Sequence, residues 1–111
     1  MVKRPTIYVA TLAEKAPLAL ILAGIEEEEV PYELVTTEKK DRIAAAFELA
    51  TRSPLAVGVV IDQTRAVLHY KNLPAEKPLF EIPNETTELM KLGANAARLV
   101  KGIPFKPLKE V

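Results

Sequence analysis

The apolar positions of this chain fall into short blocks that alternate between strand-like and helix-like spacing. Residues 6–11 are β-branched or aromatic and predict a buried first strand. A helical repeat of apolar positions then runs from Leu18 to Ile25. This repeat predicts an amphipathic helix that begins near Pro17 and is stopped by Pro31.

The middle of the chain continues the alternation. Residues 31–36 favour a second strand, and residues 41–51 favour a second helix. Residues 55–61 are apolar without interruption, which is typical of a strand covered on both faces. A turn at residues 62–65 predicts that residues 66–70 return as an antiparallel strand.

The last third of the chain is predicted to contain a loop, a long helix and a tail. Residues 73–83 hold three prolines and no periodic pattern, which predicts an ordered surface loop. Asn84 is a candidate N-cap for a helix whose apolar stripe ends at Val100. Gly102 is suited to a left-handed helix cap, and residues 104–111 predict a short polar tail.

The resulting order is strand, helix, strand, helix, strand, strand, helix. Right-handed crossovers make the first three strands parallel, and the hairpin makes the fourth antiparallel. We therefore predict one α/β domain over residues 1–111, built as a three-layer α/β/α sandwich. Its sheet is expected to be mostly parallel, with one antiparallel hairpin strand.

Composition removes several classes of function. The chain has 111 residues and no cysteine, which excludes disulfides, thiolate zinc sites and cysteine nucleophiles. Its 15 basic residues balance its 15 acidic ones, so charge gives no reason to bind nucleic acid or an anionic membrane. The longest apolar run, residues 16–25, is too short to span a bilayer. We expect a cytoplasmic protein, because no signal-peptide pattern is present.

Side chains with catalytic chemistry are scarce. His69, the single histidine, lies inside a predicted strand and is interpreted as structural. Ser53 precedes Pro54 at a helix-to-strand stop and lacks the context of a nucleophile elbow. The glycines are isolated, so no phosphate-binding loop is present, and Gly58 and Gly93 are interpreted as sites of close packing. We predict no catalytic and no cofactor-binding residue.

A run of four glutamates, residues 26–29, occupies the end of the first predicted helix, where the helix dipole is already negative. Two interpretations stay open. The run is either a solvated acidic face or a patch completed by a cation, which is a metal ion or a partner's arginine. Successive helical residues point about 100° apart, so at most one or two carboxylates can reach one ion. Hard cations such as Mg²⁺ and Ca²⁺ suit carboxylate oxygens.

Four segments together resemble a known family. Residues 24–32, GIEEEEVPY, are similar to the Gly-Ile/Leu-Glu-Glu-x-Gly-Ile/Val-Pro motif of the small (beta) subunit of diol and glycerol dehydratase-reactivating factors. The likeness continues at residues 50–58 and 73–79 and is strongest at residues 92–101, LGANAARLVK. One departure is Glu29, which stands where the motif has glycine, and a left-handed helix end is costlier without glycine.

The resemblance implies a non-catalytic accessory subunit with a fold similar to the dehydratase medium subunit. Its large partner is expected to be an actin-like, chaperone-like ATPase that carries the ATP or ADP. The implied complex, a heterotetramer, releases damaged cobalamin from inactivated adenosylcobalamin-dependent dehydratase, and the small subunit exchanges with the medium subunit. The client is diol or glycerol dehydratase, in the cytoplasm or in a bacterial microcompartment.

The resemblance also assigns an interface. In similar proteins the second glutamate of the motif reaches a divalent cation shared with the large subunit. By position this residue is Glu27, and Glu26 and Glu28 are expected beside it at the partner interface. The shared ion would be Mg²⁺ or Ca²⁺, and no cofactor is expected on this chain alone.

Two other functions stay open. The first is the dehydratase medium subunit itself, which usually carries an extension before its α/β domain, so the early first strand favours the reactivating factor. The second is a free-standing module that binds a small metabolite at the carboxyl ends of the strands. An isolated chain could also form a homo-oligomer through the surface intended for its partner.

Overall fold

The computed structural model describes residues 4–109, apart from the side chain of Thr86. Strands and helices alternate along the first half of the chain, and an antiparallel meander precedes the last helix. The strands are β1 (Ile7–Thr11), β2 (Tyr32–Leu34), β3 (Val57–Ile61), β4 (Arg65–Tyr70) and β5 (Phe80–Pro83). The helices are α1 (Leu18–Glu27), α2 (Arg42–Arg52) and α3 (Thr86–Lys101).

The five strands form one sheet in the order β2-β1-β3-β4-β5. β1 pairs in parallel with both β2 and β3, with Val9 opposite Leu34 on one side and Val59 on the other. β4 pairs antiparallel with both β3 and β5. Four strands therefore share one direction and β4 alone runs against them, which confirms the predicted mostly parallel sheet with one antiparallel strand.

The prediction that residues 73–83 form only a loop is wrong at its end. Phe80–Pro83 forms β5, in which Phe80 lies opposite Leu68 and Ile82 opposite Ala66. β5 is an edge strand, and Pro83 is tolerated there because an edge residue needs no hydrogen bond on its open side. A short, half-buried edge strand has no clear apolar alternation, so the sequence pattern did not show it.

The helices cover both faces of the sheet. α1 and α3 pack over a core that includes Ile7, Val59 and Leu68. α2 packs on the opposite face, over a smaller core that includes Val60 and Val67. This arrangement confirms the predicted three-layer sandwich. Within residues 4–109, no helix combines the length and hydrophobicity needed to cross a bilayer.

Glycine allows the closest approaches between elements. A Cβ atom built on Gly93 would lie 2.0 Å from the carbonyl oxygen of Ile21, so α1 and α3 touch through their backbones. A Cβ atom on Gly58 would lie 2.4 Å from the carbonyl oxygen of Ala46 in α2. Both contacts confirm the close-packing interpretation. Nearer the helix ends, Arg98 of α3 donates a hydrogen bond to Glu28, the residue after α1.

The two later helices begin differently. Asp41 caps α2, since its Oδ2 accepts a 2.9 Å hydrogen bond from the Ala44 N–H. The prediction that Asn84 caps α3 is wrong, because Glu85 occupies the N-cap position without a side-chain cap. The Asn84 amide instead donates to the Asp62 carbonyl at 2.9 Å, which ties the start of α3 to the β3–β4 turn.

The residues after α3 turn back along the helix. Gly102 adopts the predicted left-handed conformation, with a φ of 71°. Residues 103–109, called the C-terminal strap here, then run against α3, where the Pro104 carbonyl accepts from Arg98 at 3.0 Å. The Phe105 ring meets the Phe80 ring edge-on, with centroids 5.3 Å apart. The prediction of a short polar tail over residues 104–111 did not include these contacts with the fold. Residues 110–111 of that tail lie outside the part of the chain that the structure describes.

Candidate partner interface at the end of helix α1

The acidic run begins in the last turn of α1 and continues past its end. The helix stops at Glu27, and the N–H groups of Glu28 and Glu29 donate to the carbonyls of Ile25 and Glu26 at 3.1 and 3.0 Å. Glu29 has a φ of 61°, the left-handed conformation that glycine adopts most readily. A glutamate there costs on the order of 1 kcal/mol relative to glycine. The helix nevertheless ends in this conformation without the motif's glycine.

Glu28 anchors α1 to α3. Its Oε1 accepts from Lys101 Nζ at 3.0 Å, and its Oε2 accepts from Arg98 Nε at 3.1 Å. Lys101 Nζ also donates to the Glu28 carbonyl at 2.9 Å, so it satisfies the backbone at the end of α1. The Lys101 hydrogen bond lowers the pKa of Glu28 from its usual value, burial opposes this shift, and Arg98 adds to it. Only 10% of the Glu28 side chain is exposed, so this residue is part of the helix packing.

Glu27 is far more accessible. Its side chain is 52% exposed, and its Oε1 accepts a 2.9 Å hydrogen bond from Lys106 Nζ on the C-terminal strap. Glu26 is also exposed and accepts from the Tyr32 hydroxyl at 2.8 Å, which raises the pKa of Tyr32. Within residues 4–109, the Glu29 side chain makes no hydrogen bond and no ion pair. The three predicted interface residues therefore lie side by side but differ in what holds them.

These contacts supply, from within the chain, part of the positive charge that the sequence suggested would come from a metal ion or a partner. Arg98, Lys101 and Lys106 supply positive charge from within the chain, 70 to 79 positions after the glutamates they meet. The pattern of charges near the run does not indicate these partners, because they lie far away along the chain. The signal that could have indicated them is the basic pair Arg98 and Lys101, one turn apart on the last predicted helix.

The site has the right donor type for a metal ion but too few donors. Carboxylate oxygens are the ligands that Mg²⁺ and Ca²⁺ prefer, and the Glu27 carboxylate is open to solvent. Over residues 4–109, however, no group of three or more histidine, aspartate and glutamate side chains could hold an ion. A cation at Glu27 would need the rest of its ligands from another molecule or from water.

The other candidate side chains are engaged inside the fold. His69 is fully buried, and its Nδ1 accepts from the Tyr70 N–H at 2.9 Å. Nε2 therefore carries the proton and donates to the Ala75 carbonyl at 3.0 Å, which fixes the loop before β5 to the sheet. The Ser53 hydroxyl donates to the Thr6 carbonyl at 2.7 Å. Both side chains have structural contacts that account for their positions.

A crevice of about 710 Å³ lies where the connections of β1 and β2 leave toward opposite faces of the sheet. This is the place where a metabolite-binding module would hold its ligand. Its hydroxyl groups already have protein partners, since Thr37 donates to Glu48 and Thr11 donates to the Ala13 carbonyl, both at 2.6 Å. The residues that line the crevice are Thr11, Leu12, Thr37, Glu38, Lys39 and Lys40.

Comparison with known proteins gives consistent matches. Residues 4–106 match the family model described as dehydratase medium subunit. Over 107 residues the chain is 42% identical to the propanediol dehydratase-reactivating factor small subunit of Salmonella typhimurium, covering 94% of this chain and 92% of the relative. Over 90 residues it is 44% identical to the diol dehydratase-reactivating factor small subunit of Klebsiella michiganensis, covering 79% of this chain and 72% of the relative.

Solved structures agree with these matches. A chain in the structure of diol dehydratase-reactivating factor complexed with ADP and Mg²⁺ superimposes with a TM-score of 0.86 at 38% identity, covering 95% of this chain and all of that one. A chain of glycerol dehydratase reactivase superimposes with a TM-score of 0.81 at 28% identity, covering 94% of this chain and 98% of that one.

Proposed function

Because the chain belongs to the dehydratase medium subunit family, among the small subunits of the dehydratase-reactivating factors, we propose that it acts as the non-catalytic small subunit of such a factor. The observation that carries this proposal is the 42% identity to a reactivating-factor small subunit over nearly the whole of both chains. The described side chains support it, since His69 and Ser53 are held in structural contacts while the Glu27 carboxylate at the helix end is half exposed.

In this proposal the chemistry belongs to a large partner subunit that binds and hydrolyses ATP. The complex, a heterotetramer, releases damaged cobalamin from inactivated adenosylcobalamin-dependent diol or glycerol dehydratase. It acts where its client is, in the cytoplasm or in a bacterial microcompartment. The small subunit exchanges with the dehydratase medium subunit. The shared family supports exchange, because a medium-subunit fold in a reactivating factor presents a similar shape to both complexes.

The proposed contact with the large subunit is the surface formed by Glu26, Glu27 and Glu28. Glu27 would contribute one carboxylate to Mg²⁺ or Ca²⁺, and the large subunit would supply further ligands. Two observations support this role. Glu27 is the half-exposed carboxylate at the helix end, so another molecule can reach it. A similar solved complex also contains ADP and Mg²⁺.

The direct test is to mix the purified chain with its large partner in the presence of ADP and Mg²⁺. We expect a stable complex on gel filtration and a measurable affinity by calorimetry. Cobalamin bound in stoichiometric amount only with a dehydratase large subunit would instead identify a medium subunit. A small metabolite retained without any partner would identify a free-standing module. Absence of complex formation would overturn the proposal.

The role of Glu27 is tested by Glu27→Gln, with Glu29→Gln as the matched control. Both variants remove one charge from the same helix end, and within residues 4–109 the Glu29 side chain makes no hydrogen bond and no ion pair. Loss of a metal-ligating carboxylate should weaken the Mg²⁺-dependent complex by about tenfold or more. The control should bind within about twofold of the unmodified chain, by the small size of exposed charge effects. Equal affinities for the two variants would remove Glu27 from the metal site.

A further inference from the structure

Two buried polar side chains of α3 hold the C-terminal strap in register. Asn95 is fully buried; its Oδ1 accepts from the Lys106 N–H at 2.7 Å, and its Nδ2 donates to the Lys106 carbonyl at 3.0 Å. Glu88, also buried, accepts from the Lys109 N–H. This bond lowers the pKa of Glu88, burial opposes the shift, and Lys91 adds to it.

The spacing of these contacts fits two elements that lie side by side. Asn95 and Glu88 are seven residues apart, which is about 10 Å along a helix at 1.5 Å per residue. Lys106 and Lys109 are three residues apart, which is also about 10 Å in an extended chain. The strap is therefore docked at two matched points, and its backbone position is fixed by α3.

The strap places the ammonium group of Lys106 at the proposed interface. With the Lys106 backbone held by Asn95, its side chain reaches across to Glu27, and Nζ lies 2.9 Å from Oε1. The Lys106 side chain is 33% exposed and the Glu27 side chain 52% exposed, so water reaches the pair. Rotation of the lysine side chain is enough to withdraw the ammonium without undocking the strap.

We propose that the Lys106 ammonium group, held in place by the strap, competes with a divalent cation for the Glu27 carboxylate. An ammonium group and a divalent cation at the same carboxylate repel each other, so the metal has to displace the ammonium before Glu27 can serve as its ligand. Lys106 thereby sets the cation concentration at which the complex with the large subunit forms. This inference rests on the proposed function, and it adds the group that regulates the site.

The ion pairs at Glu28 differ from the pair that Lys106 makes with Glu27. Arg98 and Lys101 are residues of α3, and the carboxylate they bind is only 10% exposed. Those two cations hold α1 on α3. The Lys106 ammonium instead binds a carboxylate that is 52% exposed, where a partner can approach.

The test measures the Mg²⁺ concentration that gives half-maximal complex with the purified large subunit, at one fixed concentration of ADP. Lys106→Met removes the ammonium and keeps the length of the side chain. We expect it to lower the required Mg²⁺ by about two- to fivefold, which is the strength of an exposed ion pair. Lys109→Met is the matched control on the same strap, because it removes one charge and keeps the backbone N–H that Glu88 binds.

Combined variants separate the inference from the proposed function. In a Glu27→Gln background, Lys106→Met should have no further effect on the Mg²⁺ requirement. If Glu27→Gln raises the requirement while Lys106→Met leaves or raises it, the inference is wrong and the metal role of Glu27 stands. If Glu27→Gln leaves the requirement unchanged, the metal role of Glu27 and the inference both fail. Circular dichroism of each variant shows whether the fold is retained.

Discussion

On one face of the sheet α1 and α3 pack against each other through glycine, whereas on the other face α2 packs alone against the strands. Both faces also carry an ion cluster. On the α2 face, Arg42 binds Asp62 and Glu81, each at 2.7 Å, and joins the start of the helix to the β3–β4 turn and to β5. On the other face the charges gather at the open end of the helix pair.

The two clusters differ in how much of each carboxylate is already used. Burial alone would raise the pKa of Asp62, but the N–H groups of Arg65 and Thr64 and the guanidinium of Arg42 lower it to about 2. Glu27, in contrast, is half exposed, and within residues 4–109 its ion-pair partner is Lys106. Two clusters with similar residue types therefore have different roles. The first stabilises the fold, and the second keeps a carboxylate accessible to another molecule.

The largest effect is expected from Gly93→Ala, which would separate the paired helices. The new Cβ meets the Ile21 carbonyl at 2.0 Å, and such overpacking should cost roughly 2–3 kcal/mol of the free energy of unfolding. Urea denaturation measures the loss. The variant should also weaken partner binding, because Glu28 moves away from its cations on α3.

Gly58→Ala is the control on the other face, where the new Cβ meets the Ala46 carbonyl at 2.4 Å. We expect a loss of similar size in the free energy of unfolding and no change in affinity for the partner in the remaining folded protein. Equal loss of partner affinity in both variants would mean that the end of α1 is not the interface.

A smaller effect is expected from Asp62→Asn on the α2 face. The folded pKa of Asp62 is about 2 against an ordinary 3.8, so the ionised carboxylate stabilises the fold. This contribution, on the order of 2 kcal/mol, is complete above the ordinary pKa and is lost as the pH falls through 2. Urea denaturation at pH 6 should separate the variant from the unmodified chain, and the difference should shrink toward pH 2. A difference that does not change with pH would contradict the assignment.

The smallest effects compare neighbouring carboxylates within the candidate interface. Glu28→Gln should lower the free energy of unfolding by about 1 kcal/mol, because two cations lose their charged partner. Glu27→Gln should change it by less than about 0.5 kcal/mol, since its pair is exposed. Thermal denaturation ranks the two variants, and partner affinity should rank them in the opposite order. The same order in both measurements would show that Glu27 has no role beyond the fold.

Much of the fold followed from local pattern. The continuous apolar run at residues 57–61 is the central strand, and the isolated glycines at positions 58 and 93 lie at the close contacts. The predictions that were wrong concern residues whose structure depends on a contact with a residue far away along the chain. Asn84 suits a helix cap locally, but the Asp62 carbonyl takes its amide. Residues 80–83 form β5 because they pair with the edge of β4 that β3 leaves open.

The layers of the sandwich could be predicted from the sequence, because apolar periodicity depends only on which side of a strand or helix faces the core. The sequence also shows that four carboxylates crowd the end of α1. Which carboxylate is buried in ion pairs and which is exposed depends on how α1, α3 and the strap pack together. The cations that make this difference, Arg98, Lys101 and Lys106, lie on α3 and the strap, at least 70 positions away. Charge pairing depends on distance in space, and only the packing of α3 on α1 brings these groups within reach.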